Sequence, residues 1–213
     1  MQLDHRQTTK YLTQTKPSPP ILQAQLKLHK ADIPIRPVIN NRSAPSYKLA
    51  KHLTKILNHY FTLNNHYNVT NSTNLAHDLS QLKIHENHKM ITFDVKDLYV
   101  NIPINETLNI LKVKLLENNN TQITHQIISL LETLLSQNHF IYRNKIYQRE
   151  KGVSLGSPIS SLITEMLLQY HEDTHINHLL DTKNIALYTR YVDDILIIYD
   201  TTKVQPQPHI INT

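Results

Sequence analysis

Tyr191-Val192-Asp193-Asp194 sets two carboxylates side by side between two apolar runs, Ala186–Val192 and Ile195–Tyr199. Both runs are rich in Ile, Leu, Val and Tyr and too short for helices, so they read as β-strands joined by a tight hairpin. At the tip of that hairpin the two like charges repel unless a cation lies between them. A further carboxylate comes from Thr92-Phe93-Asp94-Val95-Lys96-Asp97-Leu98-Tyr99. Lys89–Val95 has the apolar character of a short buried strand, and Asp94 falls at its C-terminal end, where open α/β sheets place ligand chemistry. Asp97, three residues on in a turn, reads as a solvated or capping carboxylate.

The chain of 213 residues has only two glycines, and both lie in Lys151-Gly152-Val153-Ser154-Leu155-Gly156-Ser157-Pro158. A sequence that avoids glycine elsewhere keeps it where the backbone needs positive φ or approaches something closely. Ser157 reads as the N-cap and Pro158 as the first residue of a long amphipathic helix running to about Leu180.

In order along the chain, these segments resemble motifs A, B and C of reverse transcriptases. Phe93-Asp94 with an aromatic five residues later looks like motif A, Gly152-x-x-x-Gly156-Ser157-Pro158 like motif B, and Tyr191-x-Asp193-Asp194 like motif C. Phe93 to Pro103 is close to the extended motif A of Penelope-like retroelements. Leu28-His29-Lys30, Pro34-Ile35-Arg36-Pro37-Val38 and Ala44 to Ala50 resemble their fingers signature. A telomerase-like or group II intron-like relative stays open beside it. The resemblance covers roughly residues 24 to 200. It departs in three places: Ala24-Gln25-Leu26-Lys27 stands where the family has Gly-Leu-Pro-Lys, Gln148 is one place off a common glutamine, and Ser161 replaces a proline.

The resemblance implies an RNA-directed DNA polymerase that adds deoxynucleotides to a primer 3′-hydroxyl, with RNA template, DNA primer and dNTP as partners. Two Mg²⁺ ions (Mn²⁺ could replace them) would stabilise the attacking and leaving oxygens, and Asp side chains suit such hard cations. Asp94 and Asp193 would bridge both ions and Asp194 would assist. Tyr99 would close the sugar pocket against a ribose 2′-hydroxyl. Arg36 and Lys27 or Lys30 would grip the triphosphate, with Gly156, Ser157 and Pro158 completing the nucleotide site. Charge agrees: residues 1–60 hold ten Lys or Arg against two Asp, whereas the remainder hold twelve against fifteen acids, a basic surface set against an acidic floor.

The fold this implies is α+β, fingers and palm with a small antiparallel palm sheet backed by helices, a right-hand architecture lacking a thumb. The division reads 1–23 as a polar entry segment, 24–88 as fingers, 89–200 as palm and 201–213 as a truncated tail. Helical spacing marks Tyr47–Phe61, a segment after Asn71-Ser72, Asn105–Glu117 and Thr124–Gln137, and Phe140–Tyr142 with Lys145–Tyr147 reads as a hairpin. The absence of cysteine fits a reducing, intracellular setting, and no apolar run approaches a membrane span. Two alternatives stand. One is a non-catalytic nucleic-acid-binding remnant of a retroelement, since little chain follows motif C and processive synthesis is not expected of it. The other is a zinc protease, because His171-Glu172-Asp173-Thr174-His175 matches the His-Glu-x-x-His pattern.

Overall fold

The computed structural model describes residues 10–28, 32–61, 63, 66–118, 121–182 and 184–203. Two compact units interleave along the chain, one built from residues 1–63 and 99–167, the other from 64–98 and 168–213.

The first unit is a helical core with a four-stranded sheet. Its helices are Tyr47–Tyr60, Ile104–Asn118, Thr121–Ser136 and most of Ser160–His171. Each has the i, i+3/i+4 apolar spacing that puts one stripe inward. Leu53 and Leu57 come from the first, Leu111 and Leu115 from the second, Ile127, Leu131 and Leu134 from the third, and Ile163 and Met166 from the fourth, all buried. The sheet runs in the order β2-β1-β4-β5, from β1 (Ile21–Leu26), β2 (Ile35–Asn40), β4 (His139–Tyr142) and β5 (Lys145–Gln148). The β1 and β2 pairing is antiparallel over six residues, whereas β1 meets β4 in parallel at the single pair Ile21 and Ile141. Sequence reading assigned no strand to Ile21–Leu26. Its apolar residues alternate poorly, and only the pairing with Pro37-bearing β2 makes the segment a strand.

The second unit is a three-stranded antiparallel sheet in the order β3-β7-β6, from β3 (His88–Asp94), β6 (Ile185–Tyr191) and β7 (Asp194–Asp200). Strand alternation divides its side chains cleanly. Ile91, Ile195, Ile197, Tyr188, Tyr199 and Ile185 share one face and close a core with Tyr67, Ile176 and Leu180. Thr92, Asp94, Asp194, Leu196, Thr189 and Tyr191 share the other. The helix Ser72–Gln81 is capped by Asn71, whose side chain accepts the Asn74 N–H at 2.9 Å, as its sequence indicated.

The helix after the glycine segment differs from expectation. It begins at Ser160, because Ser157 to Ile159 form a turn in which the Ser157 carbonyl accepts from Ser160 N–H at 3.2 Å. It is also not one regular helix: a π-helical turn, Glu172–Ile176, separates Ser160–His171 from Asn177–Asp181. Apolar spacing alone cannot reveal such a turn, because one extra residue leaves the flanking stripes intact. Among the described residues no helix is long and apolar enough to cross a membrane. Truncating the fully buried Leu131 to Ala should cost about 2–5 kcal/mol through lost burial and a cavity, measurable as a lowered urea midpoint.

Candidate active site

The carboxylates meet at one end of the β3-β7-β6 sheet. Asp94, the last residue of β3, lies directly opposite Asp194, the first of β7, and Tyr191 of β6 completes the row. The Val95 N–H donates to the Asp193 carbonyl at 2.8 Å, the pattern of a non-hydrogen-bonded pair at Asp94 and Asp194, in which side chains come closest. Like charges so opposed are destabilising. Among the described residues none of the three carboxylates has an ion-pair partner. Asp94 and Asp194 are exposed and Asp193 is half-buried. Asp94 and Asp194 border a cleft of about 870 Å³ that also takes in Thr70, Asn71, Leu75 and Thr189.

The two aspartates are therefore not both at the hairpin tip, as the sequence suggested. Val192 and Asp193 form the two-residue loop, and Asp194 is already in the ladder. Val192 has φ +56° while Asp193 is not among the positive-φ residues, the type II′ pattern that normally asks for glycine at the first position. A β-branched residue there is strained. The pairing also makes Asp194, rather than Asp193, the cross-strand partner of Asp94. Hard carboxylate oxygens fit a divalent ion such as Mg²⁺, with water or substrate oxygens completing the shell. No group of three or more Asp, Glu, His or Cys among the described residues forms a ready metal site.

Behind the hairpin, on the opposite sheet face, Arg190 is buried. Its side chain is 0 % exposed and that of Glu172 is 5 %. Nε donates to Glu172 Oε1 at 2.6 Å and Nη2 to Oε2 at 3.1 Å, a bidentate pair, while Nη1 donates to the Val192 carbonyl at 3.1 Å. The Tyr188 hydroxyl donates to Glu172 Oε1 at 2.9 Å. Glu172 opens the π-helical turn, so the irregular turn supplies the carboxylate that neutralises the arginine. The arginine in turn holds the carbonyl of the strained loop residue. Sequence reading missed this support. The signal was Tyr188-x-Arg190, whose spacing places an arginine on the same face as core residues.

The same geometry removes the zinc-protease reading. The Glu172 carboxylate is buried and committed to Arg190 and Tyr188, so it cannot act as a general base on water. The His171 and His175 rings stack with centroids 6.0 Å apart, and no third ligand joins them among the described residues.

The remaining site residues belong to the first unit. Arg36 is exposed on β2 opposite Gln25. Lys27 is half-buried just past β1, its N–H donating to the Pro34 carbonyl at 3.0 Å. Lys30 lies outside the described residues. Tyr99 sits in a short helix, Leu98–Asn101, with its hydroxyl 3.5 Å from Ser161 Oγ. The glycine loop is fitted between these elements. A Cβ on Gly152 (φ +71°) would lie 2.2 Å from the Val100 carbonyl oxygen and 2.4 Å from that of Tyr99, and one on Gly156 (φ +156°) 2.2 Å from that of Ile39 in β2. The Val153 N–H donates to the Tyr99 carbonyl at 2.7 Å, Lys151 Nζ to Asn101 Oδ1 at 2.9 Å, and Asn41 Nδ2 to Ser154 Oγ at 3.0 Å. The two glycines thus let one loop join the turn carrying Tyr99 to the strand carrying Arg36, with Ser157 and Pro158 in the turn that follows.

Glu172→Ala should destabilise the fold by about 3–5 kcal/mol by leaving Arg190 buried without a counter-charge. The double change Glu172→Leu with Arg190→Met should cost less than that single change, as read from chemical denaturation. Burial, together with the charge of Glu172 and its hydrogen bond, holds the Tyr188 hydroxyl well above the ordinary tyrosine range. Unfolded tyrosine ionises near pH ~10, so the folded state keeps its full advantage below that pH and loses stability as pH rises above it. In Tyr188→Phe the fall in unfolding free energy between about pH 9.5 and 11 should be shallower. Gly152→Ala should cost about 1–3 kcal/mol from its φ alone, and more from the carbonyl clash, with Ser154→Ala as the mild control in the same melts.

No curated protein sequence matches the chain. Solved structures do match in fold. Apo telomerase from Candida tropicalis superposes with a TM-score of 0.63 at 15 % identity over 88 % of this chain, and that telomerase in complex with a TWJ fragment of telomeric RNA gives 0.62 at 14 % over 92 %. The chain spans 40 % of the length of each telomerase chain. The family model described as reverse transcriptase (RNA-dependent DNA polymerase) matches residues 28–212. With the α+β fold, the opposed carboxylates and the glycine loop already in view, this places the chain in the reverse transcriptase family.

Proposed function

We propose that this chain carries the fingers and palm of a retroelement RNA-directed DNA polymerase of the Penelope-like kind, and that Asp94, Asp193 and Asp194 hold two Mg²⁺ ions. The observation that carries this reading is the Asp94 and Asp194 pair, two like charges directly opposed with no cationic partner among the described residues. When bound, divalent ions would neutralise that repulsion and polarise phosphate oxygens during nucleotidyl transfer. The chain's own residues would do the rest. Asp193, in the loop whose preceding carbonyl Arg190 holds, would be kept close to Asp94. Tyr99 would exclude a ribose 2′-hydroxyl, and Arg36 and Lys27 would draw in the triphosphate, with Gly156, Ser157 and Pro158 beside them. Lys30, from the same signature, belongs to this proposal by sequence. The Penelope-like assignment is supported by Phe93-Asp94-Val95-Lys96-Asp97-Leu98-Tyr99-Val100-Asn101-Ile102-Pro103, and an intracellular setting by the absence of cysteine.

The test separates metal binding from synthesis. In chelator, Asp94→Asn and Asp194→Asn should each stabilise the fold by about 0.2–1 kcal/mol by relieving repulsion, seen as a slightly higher melting temperature. Millimolar Mg²⁺ or Mn²⁺ should stabilise the unmodified chain and leave both variants unmoved. Addition of one deoxynucleotide to a DNA primer on an RNA template should fall at least about a hundred-fold in either variant. Equal metal stabilisation of the chain and its variants would refute the assignment of the pair as ion ligands.

A further inference from the structure

The β4-β5 hairpin of the first unit is not used by the site above, and one of its faces has an unusual composition. Phe140 pairs with Tyr147 and Tyr142 with Lys145, so strand alternation puts three aromatic rings and a lysine on the same face. The rings are ordered against each other. Phe140 and Tyr147 stack at 5.7 Å with planes 17° apart, and Tyr142 and Tyr147 lie 6.3 Å apart at 57°. Yet they are not a core: Tyr142 is 38 % exposed and Tyr147 42 %. β5 is the last strand in its sheet.

Charge surrounds the rings. Arg143 and Asn144 form the two-residue turn with φ +48° and +61°, the type I′ pattern, and the Arg143 guanidinium sits 5.3 Å above the Tyr142 ring. Beyond β5, the Arg149 N–H donates to the Asn138 carbonyl at 3.1 Å, and Arg149 keeps Nε and Nη1 buried without a hydrogen-bond partner. No acidic residue occurs between Glu132 and Glu150. Arg143 and Lys145 therefore flank an exposed aromatic face on a hairpin whose own sequence carries no acidic residue.

We propose that this face is a stacking platform for single-stranded nucleic acid, with unpaired bases lying on Tyr142 and Tyr147 while Arg143 and Lys145 meet the phosphates. Stacking uses the π-face that every base presents, so recognition is sequence-tolerant and requires bases free of a duplex. Charge complementarity selects a polyanion over a neutral protein surface. The platform uses none of the residues of the Asp94 and Asp194 pair, and binding to it needs neither nucleotide nor metal ion, so it can fail or hold independently of the polymerase reading.

Fluorescence anisotropy of labelled oligo(rU) and oligo(dT), titrated with the full chain in chelator, tests it. Tyr142→Ala with Tyr147→Ala should weaken binding to single strands about ten-fold or more, while the paired Phe variants stay within about two-fold. Lys145→Gln should lower the slope of log affinity against log salt by about 0.7. On the unmodified chain, photocrosslinking of 5-iodouridine oligonucleotides should map to Tyr142 or Tyr147, an arm that does not depend on any variant folding. The proposal is overturned if the alanine pair binds as the unmodified chain does, if the crosslinks fall only elsewhere, or if the same substitutions instead abolish self-association seen by light scattering with nucleic-acid affinity unchanged.

Discussion

A buried guanidinium cannot stand without a counter-charge, and Arg190 makes that requirement the organising constraint of the unit that carries the carboxylates. An isolated charge in a low-dielectric interior would cost several kcal/mol. Glu172 meets it in a bidentate geometry that leaves one arginine nitrogen free to reach the Val192 carbonyl. The backbone of Arg190 is engaged as well: its N–H donates to the Tyr67 carbonyl and its carbonyl accepts from Val69 N–H, both at 2.8 Å. One residue thereby ties together the edge of the sheet, the helical layer beneath it and the loop above it. Strain at Val192 persists because the surroundings over-determine its position.

Charge is handled in opposite ways on the two faces of that sheet. The inner face neutralises its arginine completely. The outer face leaves Asp94 and Asp194 opposed, exposed and without a cationic partner among the described residues. A fold able to satisfy a buried ion pair this well has the means to place a lysine beside two surface aspartates. Under the proposed function, the stabilising role would fall to a divalent ion arriving from outside.

The residues of the proposed chemistry were legible in the sequence because they are marked by residue type. Asp94, the Asp193-Asp194 pair and the two glycines stood out against a background otherwise poor in glycine, and the helices followed from apolar spacing to within a few residues. What was not legible depends on register and on distant pairing. That Asp94 faces Asp194 follows from how β3 meets β7 across a hundred residues of chain. The strand at Ile21–Leu26 exists only through its partner. The π-helical turn was hidden because Glu172 and Arg190, eighteen positions apart, set the local backbone between them, and a local pattern was misread there as a possible metal motif.

The sheet order has a consequence for how such a chain is made. β7, the last of the three strands to leave a ribosome, lies between β3 and β6, and neither of those pairs with the other. Until residues 194–200 emerge, β3 has no partner and Asp94 has no opposite number. The carboxylate site is thus assembled by the final strand, not refined by it. During synthesis the apolar inner face of β3 waits unpaired while residues 95–193 are added, a period in which aggregation competes with folding.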